Sequence, residues 1–280
     1  RPDRPPLDRP PPAHPIFERS TRSDMRLGMV TYLWGAEWDL PTLLKRCQQA
    51  RFEGVELRST HKHGVEISLT DEQRKQVRGQ FEEAGVEFVG PGSACEYHSP
   101  DPAVVRKNIE ETKQFLELSH DLGGTGVKVR PNGFVKDEDR RVTIERIGKA
   151  LHECGECASG FGQEVRVEVH GPGTQELGVI RQIMQVADHP QVVVCWNSNP
   201  GEVVEGSVKA NFDLVADKLG QTMHIHDLFD RAYPYRELFG LLKQREYQGF
   251  LLSESPATAD PEKVMNYYRA MFDLLVEVSG

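Results

Sequence analysis

The chain has 280 residues, enough for one large domain or two small ones, and 38% of them are hydrophobic. No segment approaches the roughly 18 uninterrupted apolar residues that a membrane helix needs, so we expect no integral membrane protein. The net charge of −9, with Lys and Arg dispersed among acidic residues, would repel a nucleic-acid backbone. The composition therefore argues against DNA or RNA as a partner.

The N-terminal segment 1–24 is rich in Pro, Arg and Asp and nearly devoid of apolar side chains. Such a segment cannot build a core, so we predict an extended or disordered tail there. The numbering begins at Arg1 and not at a methionine. A cytoplasmic location and export after removal of an upstream signal therefore both stay open.

The five cysteines are odd in number and widely scattered, which argues against a disulfide framework. Cys154 and Cys157 form a C-x-x-C, but no second pair accompanies them and no strand precedes them. We interpret these two as small residues one turn apart on a helix.

From Met25 onward, short β-branched or alternating runs take turns with longer segments of helical periodicity. We predict strands at 25–35, 54–59, 86–99, 126–133, 165–171, 192–202, 222–228 and 250–255. The helices are predicted at 39–54, 68–85, 101–124, 137–160, 173–190, 207–220, 234–249 and 260–279.

Eight strand–helix units over 25–280 predict an α/β fold, a single-domain (β/α)8 TIM barrel behind the tail. A doubly wound open sheet is the alternative, but no G-x-G-x-x-G motif follows the first strand.

The stretch EVRVEVHG at 164–171 shows which side chains should face the barrel interior. Its valines alternate with an arginine, a glutamate and a histidine. In a barrel, residues that face the helices must be apolar, whereas inward residues at the carboxyl ends of strands line the site. Glu168 and His170 are therefore predicted at the barrel mouth.

The same alternation in the other strands brings polar groups to one rim. The inward side chains predicted in this way include Glu56, Arg58, Lys128, Arg130, Asn197, His224, His226 and Glu254. Two carboxylates, an imidazole and an amide oxygen are suitable ligands for a divalent cation such as Mn, Mg, Co or Zn. An ion there would polarise a carbonyl and stabilise an enediolate, which is isomerase or epimerase chemistry.

These motifs resemble those of the xylose isomerase-like TIM barrel family, the sugar phosphate isomerase/epimerase proteins. VEVHG resembles the family's fifth-strand Glu-x-His, which implies that Glu168 is a metal ligand and acid/base and that His170 contacts substrate. HIHD resembles the seventh-strand His-x-x-Asp, which implies His224 as a ligand with Asp227 as its companion. LLSES resembles the eighth-strand motif, which implies Glu254 as a ligand and second acid/base.

The sixth strand departs from the family pattern, which usually has Asp-x-x-His there. This chain has NSNP, so Asn197 replaces the acid and Pro200 replaces the histidine. The loss of one negative charge should weaken the hold on a hard cation. Asn197 is predicted as a ligand or a hydrogen-bonded pocket residue, and Asn199 as a source of an alternative oxygen.

Further residues are predicted to bind substrate, with structural alternatives. GVEL resembles the family's second-strand motif and implies Glu56 as a pocket residue. Lys128 and Arg130 are expected either to bind a substrate oxyanion or to pair with acids across the barrel. His226 is expected to contact substrate or simply to hydrogen-bond, and Trp34 to stack on a sugar ring.

The leading hypothesis is a divalent-metal-dependent isomerase or epimerase acting on a small carbohydrate or polyol ketone. Glu168 and Glu254 would exchange the proton with carbon. A keto-sugar lyase or dehydratase would use the same metal site, and a barrel that binds carbohydrate without turnover is a third reading, kept open by Asn197. Endonuclease IV-type barrels share the architecture, but the acidic composition and NSNP fit their metal cluster poorly. Self-association through the aromatic C-terminal helix is an open expectation.

Overall fold

The computed structural model describes residues 25–279, and the predicted tail at 1–24 lies outside them. The strands β1 to β8 are Arg26–Val30, Gly54–Arg58, Glu87–Glu96, Gly126–Arg130, Glu164–Glu168, Val192–Cys195, Thr222–Ile225 and Phe250–Ser253. The helices α1 to α8 alternate with them at Leu40–Ala50, Asp71–Ala84, Pro102–Asp121, Arg140–Phe161, Leu177–Ala187, Lys209–Phe212, Tyr235–Gln244 and Pro261–Val278.

All eight strands belong to one parallel sheet in the order β6-β5-β4-β3-β2-β1-β8-β7. A few backbone hydrogen bonds join the two strands at the ends of this order, β6 and β7, and their flanking residues. The amide of His224 donates to the carbonyl of Trp196 at 2.8 Å, and the amide of Gly220 donates to Val194 at 2.9 Å. The sheet thus curls into a nearly closed barrel, which confirms the predicted TIM barrel.

Several helices begin where the sequence supplies a capping side chain. Asp39 accepts a hydrogen bond from the amide of Thr42 at 2.9 Å, and Pro41 lies in the first turn of α1. Thr70 and Gln73 form a reciprocal capping box at the start of α2. Aspartates also cap α3, α4 and α8, which fixes where the loops from the barrel mouth enter those helices.

The helix predicted at 207–220 is wrong in its length, because α6 has only four residues and is followed by a 3-10 turn at Ala216–Lys218. Tertiary bonds divide the segment. Glu237 accepts the amide of Val208 at 2.8 Å, and the side chain of Asn211 donates to the carbonyl of Glu202 at 3.0 Å. Leu219 then pairs with β6. These contacts override the helical periodicity that the sequence displays.

The main hydrophobic core lies between the strands and the helices. Val165, Val167 and Val169, together with Met223 and Ile225, face this layer and are fully buried, as the alternation predicts. The opposite faces of the same strands point into the barrel. The polar groups at the carboxyl ends of the strands are therefore carried by strands whose other faces are locked into the core.

The amino-terminal end of the barrel interior is filled by the fully buried Arg166. Its guanidinium pairs with Glu164 at 2.8 Å and donates to the carbonyl of Val89 and to the hydroxyl of Thr125. Gly126 makes room for it, since a Cβ there would lie 3.0 Å from the Arg166 Cζ atom. A buried guanidinium paired with a carboxylate therefore closes this end of the barrel.

The cysteines behave as predicted, because all five are free thiols and Cys154 and Cys157 lie one turn apart on α4. Within residues 25–279, no helix combines the length and the apolar character needed to cross a membrane. On α8, an exposed apolar stripe runs through Tyr267, Met271 and Leu274. Self-association through this helix stays a prediction.

We expect Arg166→Met to lower the free energy of unfolding by about 3 kcal/mol, because it leaves the Glu164 carboxylate without its buried partner. Urea unfolding followed by circular dichroism measures the change. The matched control is Arg181→Met on the exposed face of α5, for which we expect a change within about 0.5 kcal/mol. Equal unfolding midpoints for Arg166→Met and the wild type would contradict the structural role of this pair.

Candidate metal centre

His224, on β7, is buried at the carboxyl end of the barrel and is surrounded by oxygen atoms from other strands. Its Nδ1 atom lies 3.1 Å from Oδ1 of Asn197, 3.4 Å from Oε1 of Glu168 and 3.6 Å from Oε2 of Glu254. Glu168 ends β5, Asn197 follows β6, His224 lies on β7 and Glu254 follows β8. The four metal ligands predicted from the sequence are thus brought together.

The other nitrogen of His224 faces β2. Its Nε2 atom lies 3.2 Å from Oε1 of the fully buried Glu56. With Nε2 bonded to a carboxylate, Nδ1 is the nitrogen that faces the three oxygen ligands, and loss of its proton would offer a cation a nitrogen lone pair there. Glu56 was predicted as a pocket residue that contacts substrate; its carboxylate lies against the imidazole, and the substrate contact stays a prediction. Gly92 leaves room for this carboxylate, because a Cβ at that position would lie 2.6 Å from Oε1 of Glu56.

Glu168 is held by an ion pair in the barrel interior. Nζ of the buried Lys128 lies 2.8 Å from Oε2 of Glu168, while Oε1 points towards His224. Burial alone would raise the pKa of Glu168, but the Lys128 ammonium and His224 hold this pKa well below its usual range. Glu168 is therefore a carboxylate at neutral pH, with one oxygen fixed and one directed at the cluster.

Glu254 is the second carboxylate, and His226 is its partner at 3.3 Å. Burial would raise the pKa of Glu254, but the hydrogen bond from His226 and the charge of His224 lower it. Glu254 thus also offers an anionic oxygen. Unlike Glu168, it has no ammonium partner within 4 Å in the described part of the chain, so it keeps more freedom to exchange a proton.

The donor set fits a divalent cation. Ligand atoms of Glu168, His224 and Glu254 all lie within 4.8 Å of one another, and Oδ1 of Asn197 is beside them. Donors about 2.1 Å from a shared ion lie up to about 4.2 Å apart, so a small contraction would close the shell. Four acceptors facing one another repel unless positive charge lies between them, either a proton on Nδ1 or a metal ion.

The rim beside the cluster carries two of the predicted substrate contacts. Arg130 lies 3.7 Å from the carboxylate of Glu96, and its buried Nε has no hydrogen-bond partner among the described residues. His170 is half-buried and bonds through Nδ1 to the side-chain oxygen of Asn132 at 3.0 Å. Asn132 in turn donates to Glu96. Guanidinium and imidazole groups therefore border the space above the cluster, where they are able to contact a ligand.

The other two predicted substrate contacts are Trp34 and Asp227. Trp34 is 3% exposed and packs against Trp38, Phe52 and Tyr268, with ring centroids 6.1 to 6.5 Å apart. Little of its ring is free to stack on a sugar. Asp227 is half-buried in the loop after β7, and it shows no side-chain hydrogen bond to His224. Both roles stay predictions.

Sequence reasoning did not identify Glu202, whose carboxyl group is fully buried in the 3-10 turn after β6. Its Oε2 accepts the hydroxyl of Tyr233 at 2.6 Å, and its Oε1 lies 3.4 Å from Nδ2 of Asn199. Tyr233 also accepts a hydrogen bond from the indole of Trp196 at 2.8 Å and is buried, so it packs the loop. Only the NPGE spacing after the strand hints at this acid.

We expect Glu56→Leu to lower the affinity for Mn²⁺ by about 10- to 100-fold, because the imidazole of His224 loses its orienting carboxylate. Competition with a chelating dye measures the affinity. Gly92→Ala should have a similar effect by displacing Glu56. Glu72→Leu on the exposed face of α2 is the control. Unchanged affinity in both test variants would refute the orienting role of Glu56.

The buried Glu202 predicts a pH-dependent contribution to stability. Burial raises the pKa of this carboxyl to about 8, above its ordinary value, so the folded protein keeps a proton that the unfolded chain releases. This contribution is fully present below the ordinary pKa and decreases as the pH rises to about 8. We expect Glu202→Gln to flatten the fall in urea midpoint between about pH 5 and about pH 9. A slope equal to that of the wild type would contradict this.

Comparisons with known proteins agree with this architecture. The xylose isomerase-like TIM barrel family matches residues 44–272. No curated protein sequence gives a significant match. An L-ribulose 3-epimerase structure is similar over 91% of this chain and 95% of its own, with a TM-score of 0.75 and 18% identity. A 3-keto-D-glucoside 4-epimerase from E. coli is similar over 90% and 98%, with a TM-score of 0.74 and 15% identity.

A third similar structure is the D-psicose 3-epimerase from Clostridium cellulolyticum in complex with D-tagatose. It covers 91% of this chain and 99% of its own, with a TM-score of 0.72 and 16% identity. At these identities the structural likeness concerns the fold. Because the family match spans most of the barrel, the chain belongs to the xylose isomerase-like TIM barrel family.

Proposed function

We propose that this protein is a divalent-metal-dependent isomerase or epimerase of a sugar or polyol ketone. The observation that carries the proposal is the convergence of Glu168, His224, Glu254 and Asn197 on one point at the barrel mouth. The sugar epimerases among the structural neighbours support the substrate class, since their names specify ketoses and keto-glycosides.

A bound divalent ion would supply Lewis acidity, which polarises a substrate carbonyl and favours loss of the neighbouring C–H proton. Mn, Mg, Co and Zn are the candidates, and Glu168, His224, Glu254 and Asn197 would hold the ion. Because Asn197 is neutral, this ligand set has one negative charge fewer than a set with an acid at that position, so the occupied site would be more positive. This favours a ligand that gains negative charge during the reaction.

The two carboxylates carry the proton transfer in this proposal. Both have lowered pKa values and are therefore anionic and able to accept a proton at neutral pH. Oε2 of Glu168 is tied to Lys128, which fixes the direction of its free oxygen. Glu254 is bonded to His226, which can stabilise either protonation state of the carboxyl group. One would accept the proton and the other would return it.

Substrate hydroxyls and oxyanions would be held by the side chains around this pair. The same end of the barrel carries Arg130, His170 and His226. Lys128 is close to the carboxylate of Glu168. Of the other residues proposed from the sequence, Glu56 would act through His224, while the substrate contacts of Asp227 and Trp34 stay predictions. Charged donors of this kind stabilise an enediolate more than the neutral ketone.

The test of this function has two readouts, metal content and exchange of substrate hydrogen with solvent. We expect purified wild type to hold close to one Mn, Co, Zn or Mg ion, and Glu168→Ala and Glu254→Ala to lose most of it. In deuterated water, a panel including D-psicose, D-tagatose, L-ribulose and 3-keto-D-glucosides should show deuterium incorporation with the wild type only.

Glu72→Ala is the matched control, because it removes an exposed carboxylate and should change neither readout. Release of water from a keto-sugar or cleavage of a glycosidic bond would point to a lyase or dehydratase on the same site. Ligand binding without exchange in any added metal would support the non-catalytic carbohydrate-binding barrel, the reading favoured by the neutral Asn197. Wild type that stays empty after incubation with all four ions would refute the metal mechanism.

A further inference from the structure

A chain of hydrogen bonds runs from the core to the candidate metal ligand Asn197. We call it the amide relay; its residues are Trp196, Tyr233, Glu202, Asn199 and Asn197. Trp196 donates to Tyr233 at 2.8 Å, and Tyr233 donates to Oε2 of Glu202 at 2.6 Å. Nδ2 of Asn199 lies 3.4 Å from Oε1 of Glu202 and 2.5 Å from the carbonyl of Val169. Nδ2 of Asn197 lies 3.4 Å from Oδ1 of Asn199.

The chemistry of the relay permits only one direction for its amide groups. A main-chain carbonyl cannot donate a hydrogen bond, so the NH2 group of Asn199 must face Val169 and Glu202. The oxygen of Asn199 is then left to face Asn197. Asn197 must direct its NH2 group to that oxygen, and its own oxygen is left for His224 and the cluster.

This direction does not depend on the proton carried by Glu202. When Glu202 is ionised, both of its oxygens accept hydrogen bonds. When it is protonated, the hydroxyl at Oε2 can donate to Tyr233, and Oε1 remains an acceptor for Asn199. The orientation of Asn197 is therefore the same in both states, and Val169 reinforces it with a carbonyl that never donates.

The orientation of the side chain at position 197 matters because this chain has an asparagine there. A carboxylate offers oxygen whichever way it turns, whereas an amide offers an oxygen in one orientation and an NH2 group in the other. An NH2 group aimed at the cluster would repel a cation. An amide ligand therefore needs its orientation fixed, and a carboxylate ligand does not.

We propose that Asn199 and Glu202 are positioning residues that turn the oxygen of Asn197 towards the metal ion and so allow a neutral amide to serve as the fourth ligand. This inference rests on the proposed function, because it requires that the cluster binds a divalent cation. It adds a specific task for two residues that contact neither the ion nor the substrate. The buried acid in the turn after β6 thereby supports the ligand shell without entering it.

A double-mutant cycle on Mn²⁺ affinity, measured by competition with a chelating dye, tests the relay. We expect Asn199→Leu to weaken Mn²⁺ binding about tenfold in the wild-type background, which is typical of groups that orient metal ligands. In the Asn197→Asp background the same substitution should cost little or nothing, because a carboxylate needs no orientation. General damage to the fold would lower affinity equally in both backgrounds.

Glu202→Leu and Glu202→Gln, each made in the same two backgrounds, give a second and independent reading. Leu should reproduce the background-dependent loss, whereas Gln retains an acceptor oxygen and should keep most of the wild-type affinity. Equal losses in both backgrounds, or no loss in the wild-type background, would overturn the relay. Absence of Mn²⁺ binding by the wild type itself would instead overturn the proposed function, so the two failures are distinguishable.

Discussion

The constraint on which this structure depends is the burial of one imidazole among carboxylate and amide oxygens, which accept hydrogen bonds. His224 has carboxylates on both sides and an amide oxygen beside Nδ1. Such an arrangement is unfavourable without positive charge at its centre. Two neighbouring side chains reduce the repulsion. Glu56 accepts a hydrogen bond from Nε2, and Lys128 neutralises part of the charge of Glu168. The proposed cation would lie at the centre of the cluster.

The barrel holds these groups close together because each strand is anchored on its other face. Aliphatic residues of β5, β6 and β7 are buried against the helices, so the inward side chains of these strands have little freedom to move apart. Arg166 and Glu164 close the opposite end as a separate ion pair. Two polar layers are thus stacked inside the barrel, one structural and one directed at the mouth.

Position 197 shows how one proposed ligand depends on the side chains around it. An amide in place of an acid removes one charge from the cluster and adds an ambiguity between oxygen and nitrogen. In our proposal Asn199 and Glu202 resolve the ambiguity but not the charge, because both lie behind Asn197. The rim arginine and histidine are then opposed by fewer negative groups, which suits a ligand that becomes anionic as it reacts.

The sequence by itself determined the barrel and the strand faces, because a period of two with valines on one side leaves no choice of face once the sheet is closed. It therefore predicted that Glu168, His224 and Glu254 meet. Only the tertiary structure decided what depends on contacts between distant segments. Glu56 and His224 are 168 residues apart, Glu202 and Tyr233 meet across two loops, and Asn211 and Glu237 shorten α6. Trp34 likewise received its place from rings of α8 and the loop before β2, which no local pattern could specify.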